Sequence, residues 1–438
     1  MNNQSQPKQT NPASDIDLDD SMLALDIDDN LLPSINPTQE SKQNTTLEYS
    51  DEVHGDKNAI ADELFWRYVK DAIDAAIDRQ QLDEAKNIAY LTYLAWRTND
   101  TSLSVPERQK WADAFTDMSI EIWGKPDPVL AKKFEESAQQ KIIDDYSDIF
   151  DSVRGYLTTE YSYAFDALDI GGKTTPMTSE EIVETFQRGL DALKVKDQRW
   201  EEWKVVRADS DVITVNGKKK QIRVGKNRTD VEPRSVGGLF AHEFLRHALT
   251  KINSLEIGIT EPLPHYLASE EGYAIINEVA ISGKFPEKIV DRYVDIAYVL
   301  GDLTGQTHTR SELINRYIYR AQSRNTYRSD EEVLVAAYTH ANRIFRGTPG
   351  DEEVSGVFTK DQVYLAGLIP SLEFIRQELN RGAKIDSIMR FIMAAKFDTS
   401  SPTQREIVRE KLVEHYGLSK KPPRKAALID AQKESVSI

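Results

Sequence analysis

Residues 237–247 read Gly-Gly-Leu-Phe-Ala-His-Glu-Phe-Leu-Arg-His, an apolar stretch that is typical of a helix and carries three polar groups of catalytic type. His242 and His247 enclose Glu243 in the pattern His-Glu-x-x-x-His. Neutral imidazoles suit zinc, and a glutamate beside the first ligand can act as a general base on a metal-activated water. The stretch therefore indicates a metal-binding helix.

The spacing of the two histidines sets a geometric condition on this interpretation. Residues five apart lie roughly 140° around an ideal α-helix, since each residue turns by about 100°. His242 and His247 would then point away from each other. A π-bulge, which adds one residue to a turn, would restore their convergence. The alternative is an ordinary helix with one buried and one surface histidine, and the spacing alone leaves both open.

A third ligand is available downstream, where residues 268–278 read Ala-Ser-Glu-Glu-Gly-Tyr-Ala-Ile-Ile-Asn-Glu. Glu270 and Glu271 stand at the predicted start of a second buried helix. In gluzincin-type sites a glutamate from the next helix supplies the third ligand oxygen. The alternative is that both acids favour the helix N-terminus through its dipole.

Around these two segments the periodicity is mostly helical. The exception is a β-rich stretch before the histidines, where Asn216-Gly217 separates two β-forming runs and predicts a hairpin over 212–224. The fold class expected is α+β and predominantly helical, with a small antiparallel sheet. Helix starts are predicted from N-cap patterns at Thr178–Glu181, Thr309–Glu312, Ser329–Glu332, Thr359–Gln362 and Ser401–Gln404.

The composition changes along the chain and predicts five regions. Residues 1–57 hold twelve acidic residues and three lysines, which predicts a disordered acidic tail. A helical N-terminal region is expected over 58–195 and a catalytic domain over 196–400. A C-terminal helix follows at 401–417, and 418–438 is predicted to be a flexible basic tail.

Charge and residue usage exclude several classes of function. The net charge of −17 argues against broad binding of nucleic acid, because phosphate contacts need clustered cations. The absence of cysteine removes disulfides, cysteine-ligated zinc and thiol nucleophiles. We see neither a signal peptide nor an apolar run of about 18 residues, so we expect a cytoplasmic protein without membrane contact. No pattern predicts an oligomeric state.

Four blocks in this order resemble an uncharacterised bacterial family known by its Gln-Glu-Gly-Leu-Ala motif, which also includes the eukaryotic microtubule-associated tyrosine carboxypeptidases. They are the histidine motif, Glu271-Gly272-Tyr273-Ala274, residues 343–347 (Arg-Ile-Phe-Arg-Gly) and residues 358–365 (Phe-Thr-Lys-Asp-Gln-Val-Tyr-Leu). The resemblance covers about residues 200–400. One departure is Phe244-Leu245-Arg246, where the family often has small residues.

The resemblance implies a zincin-like, gluzincin-type catalytic domain that holds one zinc ion. His242, His247 and Glu271 would be its ligands, and Glu243 would activate water. The family's activity implies a carboxypeptidase that acts on the C-terminus of a peptide or protein. The alternatives are a zinc aminopeptidase or endopeptidase with the same metal set, or a non-catalytic helical interaction protein with a relic site.

The remaining roles are predicted for residues in or just before the last two blocks. An oxyanion donor is needed, for which Tyr364 is preferred over His340, Arg343 and Arg346. A terminal carboxylate is held best by a cation, and Arg343, Arg346 and Lys360 are the expected substrate-binding residues. The predicted hairpin is expected to align an extended peptide by strand addition.

Overall fold

The computed structural model describes residues 82–136, 140–210, 212–228, 231–323, 329–350 and 353–416. The predicted acidic tail, the helical pattern before residue 82 and the predicted basic tail lie outside these ranges. Within them the chain is mostly helical with one small three-stranded sheet. None of the helices described is both long and apolar enough to cross a membrane.

Seven helices precede the sheet in the described part of the chain. The seventh begins where the sequence predicts, because Thr178 and Glu181 form a reciprocal capping box. The helices are α1 (Leu82–Thr98), α2 (Val105–Trp123), α3 (Pro128–Glu136), α4 (Gln140–Asp145), α5 (Ser147–Glu160), α6 (Ser162–Leu168) and α7 (Ser179–Lys196).

The sheet contains β1 (Lys204–Ala208), β2 (Ile213–Asn216) and β3 (Gln221–Gly225) in the order β1-β3-β2. The predicted hairpin is confirmed, since β2 and β3 are antiparallel with Val215 opposite Ile222. The prediction of an antiparallel sheet is wrong, because β1 pairs in parallel with β3. The chain reverses before and after β2, so β3 runs in the direction of β1 and takes the buried central position. A hydrophobic pattern does not reveal which strand will be central.

Helices again dominate after the sheet. They are α8 (Pro233–His242), a π-helical segment (Glu243–Ala248), α9 (Leu249–Glu256), α10 (Leu267–Ser282), α11 (Glu287–Val299), α12 (Arg310–Ser323), α13 (Asp330–Ile344), α14 (Val363–Asn380), α15 (Ile385–Ile392) and α16 (Pro402–His415), with a 3₁₀ turn at Lys360–Gln362 before α14.

The predicted caps at Thr309, Ser329 and Ser401 are confirmed by their hydrogen bonds to the first helical turn. The predicted capping box at Thr359 is wrong. The Thr359 hydroxyl instead donates to the backbone carbonyl of Ser119 on α2, and it makes no cap contact. A buried tertiary partner has therefore replaced the local one.

One hydrophobic core extends from α3 into the helices that follow the sheet. It includes Val153 on α5, Phe186 on α7, Ile222 on β3 and Phe244 in the π-helical segment. The boundary between a helical region at 58–195 and a catalytic domain at 196–400 remains a prediction, and residues from both sides of it share this core.

The helix that follows the histidines is held very close to α14. A methyl group added at Gly272 on α10 would overlap the carbonyl oxygen of Gly367, and one added at Gly367 would overlap the carbonyl oxygen of Ala268. The two helices thus touch backbone to backbone. This contact fixes the position of Glu271, the residue next to Gly272.

Candidate metal centre

The helix that carries the two histidines changes its winding between them. It is α-helical up to His242, π-helical over Glu243–Ala248 and α-helical again from Leu249. A π-turn takes up one more residue than an α-turn, so residues five apart come to one face. The ring centroids of His242 and His247 are 4.9 Å apart. The predicted bulge is confirmed, and the alternative of an ordinary helix is wrong.

Glu271 on α10 completes a group of three residues that could hold a metal ion. Its Oε2 lies 3.9 Å from Nε2 of His242 and 4.0 Å from Nε2 of His247. One ligand atom from each residue falls within 4.8 Å of the others. These separations are too long for hydrogen bonds, yet they suit donors around one ion at about 2.0–2.2 Å. The donor set of two imidazoles and one carboxylate fits zinc.

Each histidine is oriented by a carboxylate on its other ring nitrogen. Nδ1 of His242 lies 2.9 Å from Oε2 of Glu278, and Nδ1 of His247 lies 2.8 Å from Oε1 of Glu270. Both Nε2 atoms are thereby turned toward Glu271. Carboxylate partners of this kind fix the tautomer and the orientation of a ligating histidine.

The charges around His242 shift its protonation. Burial acts to lower the pKa of His242, but the hydrogen bond to Glu278 and the nearby carboxylates of Glu243 and Glu271 raise it to about 9. A metal ion that binds here must therefore displace a proton.

Glu270 is fully enclosed and stays ionised. Burial raises its pKa, but Arg246, Lys396 and His247 together hold the pKa well below its usual range. The Arg246 guanidinium donates to Glu270 and also to the backbone carbonyl of Ile392.

Glu243 is the first residue of the π-helical segment and lies beside the three possible ligands. Only 6% of its surface is exposed. Burial raises the pKa of its carboxyl group, and the two histidines oppose this. A carboxylate with a raised pKa is suited to accept a proton near neutral pH.

These groups open into a cavity of about 250 Å³. Edge strand β2 and the residue before it form one wall, and the start of α11 forms another. The lining combines apolar side chains with four cations. It consists of Val212, Ile213, Thr214, Val215, His242, Glu243, His247, Glu271, Pro286, Lys288, Ile289, Arg292, Arg343, Tyr364 and Lys396.

The family model described as microtubule-associated tyrosine carboxypeptidase matches residues 108–415. The chain belongs to this family. The match confirms the resemblance predicted from the sequence and extends it toward the N-terminus by about ninety residues. It takes in α2 to α7, which precede the four motif blocks. No curated protein matches the chain.

Only some of the site residues predicted from the motif blocks line the cavity. Tyr364 and Arg343 line the cavity. Burial and the charges of Glu271 and Asp361 raise the pKa of Tyr364, which keeps its hydroxyl protonated at neutral pH. Arg343 donates to Asp361 over 2.8 Å.

Three of the predicted polar residues do not line this cavity. Nε2 of His340 lies 2.8 Å from Oδ2 of buried Asp295. Arg346 lies with its guanidinium 5.8 Å from the centre of the Phe358 ring. Lys360 is buried next to Asp361, and burial together with Arg346 and Arg343 lowers its pKa to about 7 against the pull of Asp361. None of these three side chains lines the cavity, and their roles in substrate binding and oxyanion stabilisation remain predictions.

Three cavity cations were missed by the sequence analysis. Lys288 and Arg292 are both on α11, and Lys396 follows α15. None belongs to a motif block. The only signal for Arg292 was its place on an amphipathic helix, which does not distinguish a cavity from a surface.

Proposed function

We propose that this protein is a zinc-dependent carboxypeptidase that removes the C-terminal residue of a peptide or protein. The observation that supports it most is the convergence of His242, His247 and Glu271 beside buried Glu243 in a single cavity. The family to which the chain belongs is described as a tyrosine carboxypeptidase, which gives the direction of cleavage. Its description as microtubule-associated is compatible with the cytoplasmic location expected from the sequence.

Zinc is the metal that the donor set favours. Two histidines on one helix and a glutamate on the next is the gluzincin arrangement, and three protein ligands leave a coordination position open for chemistry. When bound, zinc supplies a Lewis acid that makes water more acidic and polarises a carbonyl.

Glu243 acts as the general base in this proposal. Its carboxylate takes a proton from the attacking water and passes it to the nitrogen of the leaving amino acid. Its raised pKa suits both halves of this task, because the group can hold the proton between the two steps.

Tyr364 stabilises the charge that develops on the scissile carbonyl oxygen. Tyr364 lines the same cavity as Glu271, and burial raises the pKa of its hydroxyl, which stays protonated. A neutral donor fixed in a low-dielectric site stabilises an oxyanion more than water does.

The walls of the cavity suit one apolar terminal side chain. Ile213, Val215 and Ile289 line it together with Pro286. Its volume of about 250 Å³ accommodates a residue as large as tyrosine. The outer edge of β2 has no strand partner among the described residues, and its backbone could align the peptide by strand addition.

The alternative functions would each require different groups or a different shape of the cavity. An aminopeptidase needs an anion for the substrate's amino group, whereas this cavity carries four cations besides the carboxylates of Glu243 and Glu271. An endopeptidase needs a cleft open at both ends. A structural zinc site in a non-catalytic protein has no need for Glu243.

Metal content and cleavage together test the proposal. Elemental analysis compares the wild type with His242→Ala, Glu271→Ala and Glu243→Gln. We expect about one zinc in the wild type and in Glu243→Gln, and strongly reduced zinc in the other two. A library of free-acid peptides should lose one residue with the wild type and none with Glu243→Gln. A wild type that binds no zinc under replete conditions would rule out this mechanism.

A further inference from the structure

The four cations of the cavity are not equally available to a substrate. Nε of Arg343 is held by Asp361 at 2.8 Å. Nζ of Lys396 lies 3.9 Å from Oε1 of Glu270, the carboxylate oxygen that also contacts Nδ1 of His247. Lys288 is exposed on the first turn of α11, where solvent screens its charge.

Arg292 differs from these three cations because it is mostly buried and one of its donors has no partner among the described residues. It lies one helical turn after Lys288, and 17% of its side chain is exposed. Its Nη1 is 3.6 Å from Asp361, which is beyond hydrogen-bond range. Its Nε is buried and has no hydrogen-bond partner among the described residues. A buried donor left in this state costs free energy unless a ligand satisfies it.

The distance from Arg292 to the metal group is limited by the cavity itself. Both Arg292 and Glu271 line this cavity, whose volume is about 250 Å³. Each residue of an extended peptide spans about 3.5 Å. A carboxylate held by Arg292 and a scissile carbonyl at the metal group would therefore share one small cavity, within a short stretch of extended chain.

We propose that Arg292 binds the C-terminal carboxylate of the substrate and thereby restricts cleavage to the last residues of a chain. This rests on the proposed carboxypeptidase function. The guanidinium offers two parallel donors, Nε and one Nη, to the two carboxylate oxygens. Asp361, whose pKa is held well below its usual range and which is bound to Arg343, lies 3.6 Å from Nη1 of Arg292 and attracts the guanidinium by its charge. The sequence analysis assigned this role to Arg343, Arg346 and Lys360.

The test compares two peptides that differ only at the C-terminus. One ends in tyrosine as the free acid and the other ends in tyrosine amide. Binding is measured by fluorescence anisotropy in zinc-loaded Glu243→Gln protein, so that no cleavage occurs. We expect the free acid to bind about 10- to 100-fold more tightly, as a charge-assisted bidentate contact would give.

Adding Arg292→Gln should bring this ratio close to one, and adding Arg292→Lys should restore part of it. The matched control is Arg390→Gln, an exposed arginine on α15, which should leave the ratio unchanged. Circular dichroism verifies that each variant is folded. In the active enzyme, Arg292→Gln should raise KM for the free acid more than it lowers kcat.

Two results would overturn the assignment of Arg292. One is an unchanged ratio in folded Arg292→Gln protein. The other is a ratio that is lost in Arg343→Gln while Arg292→Gln keeps it. In both cases a wild type that still shortens free-acid peptides leaves the carboxypeptidase proposal intact. A wild type that cleaves neither peptide and shows no preference for the acid removes both proposals.

Discussion

Nδ1 of His242 lies 2.9 Å from the carboxylate of Glu278, which is seven residues, or about two helical turns, beyond Glu271 on the same helix. Helix α10 therefore provides both a possible ligand and the group that orients another ligand. Any movement of α10 relative to α8 displaces both at once.

We expect Glu278→Gln to weaken zinc binding about 10- to 100-fold, the usual effect of removing the carboxylate behind a ligating histidine. The amide keeps the shape of the side chain but cannot stabilise a more basic imidazole. Equilibrium competition with a chromophoric chelator measures the change. Glu184→Gln, an exposed glutamate on α7, is the control. Equal affinity in the two variants would show that Glu278 does not support the site.

A second prediction concerns the ion pair between Arg246 and Glu270, whose side chains are 1% and 0% exposed. We expect Arg246→Met to destabilise the metal-free protein by about 3–5 kcal/mol, because Glu270 is left buried with less compensation. Urea unfolding without zinc measures this free energy.

The double variant Arg246→Met with Glu270→Gln should recover part of that loss, since the buried charge has been removed as well. A double variant as unstable as the sum of the two single variants would contradict the coupling.

The close contact of α10 and α14 gives a third prediction. Gly367→Ala places a methyl group against the Ala268 carbonyl and should destabilise the protein by about 1–3 kcal/mol or more. It should also weaken zinc binding, because the adjacent helix carries Glu271.

Gly155→Ala is the matched control. This glycine is also in a helix interior, but an added methyl group meets no atom within 4 Å. We expect it to stabilise the protein by about 0.5–1 kcal/mol through helix propensity. Thermal unfolding of both variants measures the difference, and similar midpoints would refute the close contact.

A fourth prediction concerns the contribution of Lys360 to the pH dependence of the free energy of unfolding. Burial lowers its pKa from the ordinary 10.5 to about 7. Between these values the unfolded chain binds more protons than the folded one, so this residue makes stability rise with pH by about 1.4 kcal/mol per unit. Below pH 7 its unfavourable contribution is fully present.

We expect Lys360→Met to remove this slope in metal-free protein, with the largest gain in stability at or below pH 7. Urea unfolding at several pH values between about 7 and 10 measures it. Lys132→Met, an exposed lysine on α3, should keep the wild-type slope. A slope that is the same in the two variants would show that Lys360 is charged in the folded protein.

Much of the site could be predicted because its chemistry constrains the backbone. Two histidines five apart serve one ion only if one turn of the helix contains an extra residue, and the structure has that π-helical segment. Glu271 was favoured over Glu270 on the family motif, and it is Glu271 that joins the histidines while Glu270 supports His247.

The predictions from the sequence were wrong or incomplete where contacts distant in the chain determine the structure. The parallel pairing of β1 with β3 depends on which strand enters the centre of the sheet, and the three segments have similar β-propensity. Thr359 fits a capping pattern but bonds to Ser119, which is 240 residues away in the chain. Arg292 belongs to no motif, and only the packing of α11 beside the metal group brings it into the cavity.

Strand β2 has a consequence for the behaviour of the protein in solution. An open strand edge is ordinarily a hazard, because it invites other copies to pair with it and aggregate. Here the residues of that strand line a cavity of about 250 Å³, which also holds charged side chains of both signs. A folded second copy is too bulky to enter, whereas a single extended chain is not. The position of this strand edge in the cavity thus limits pairing with other copies of the protein and favours the entry of unfolded chain ends.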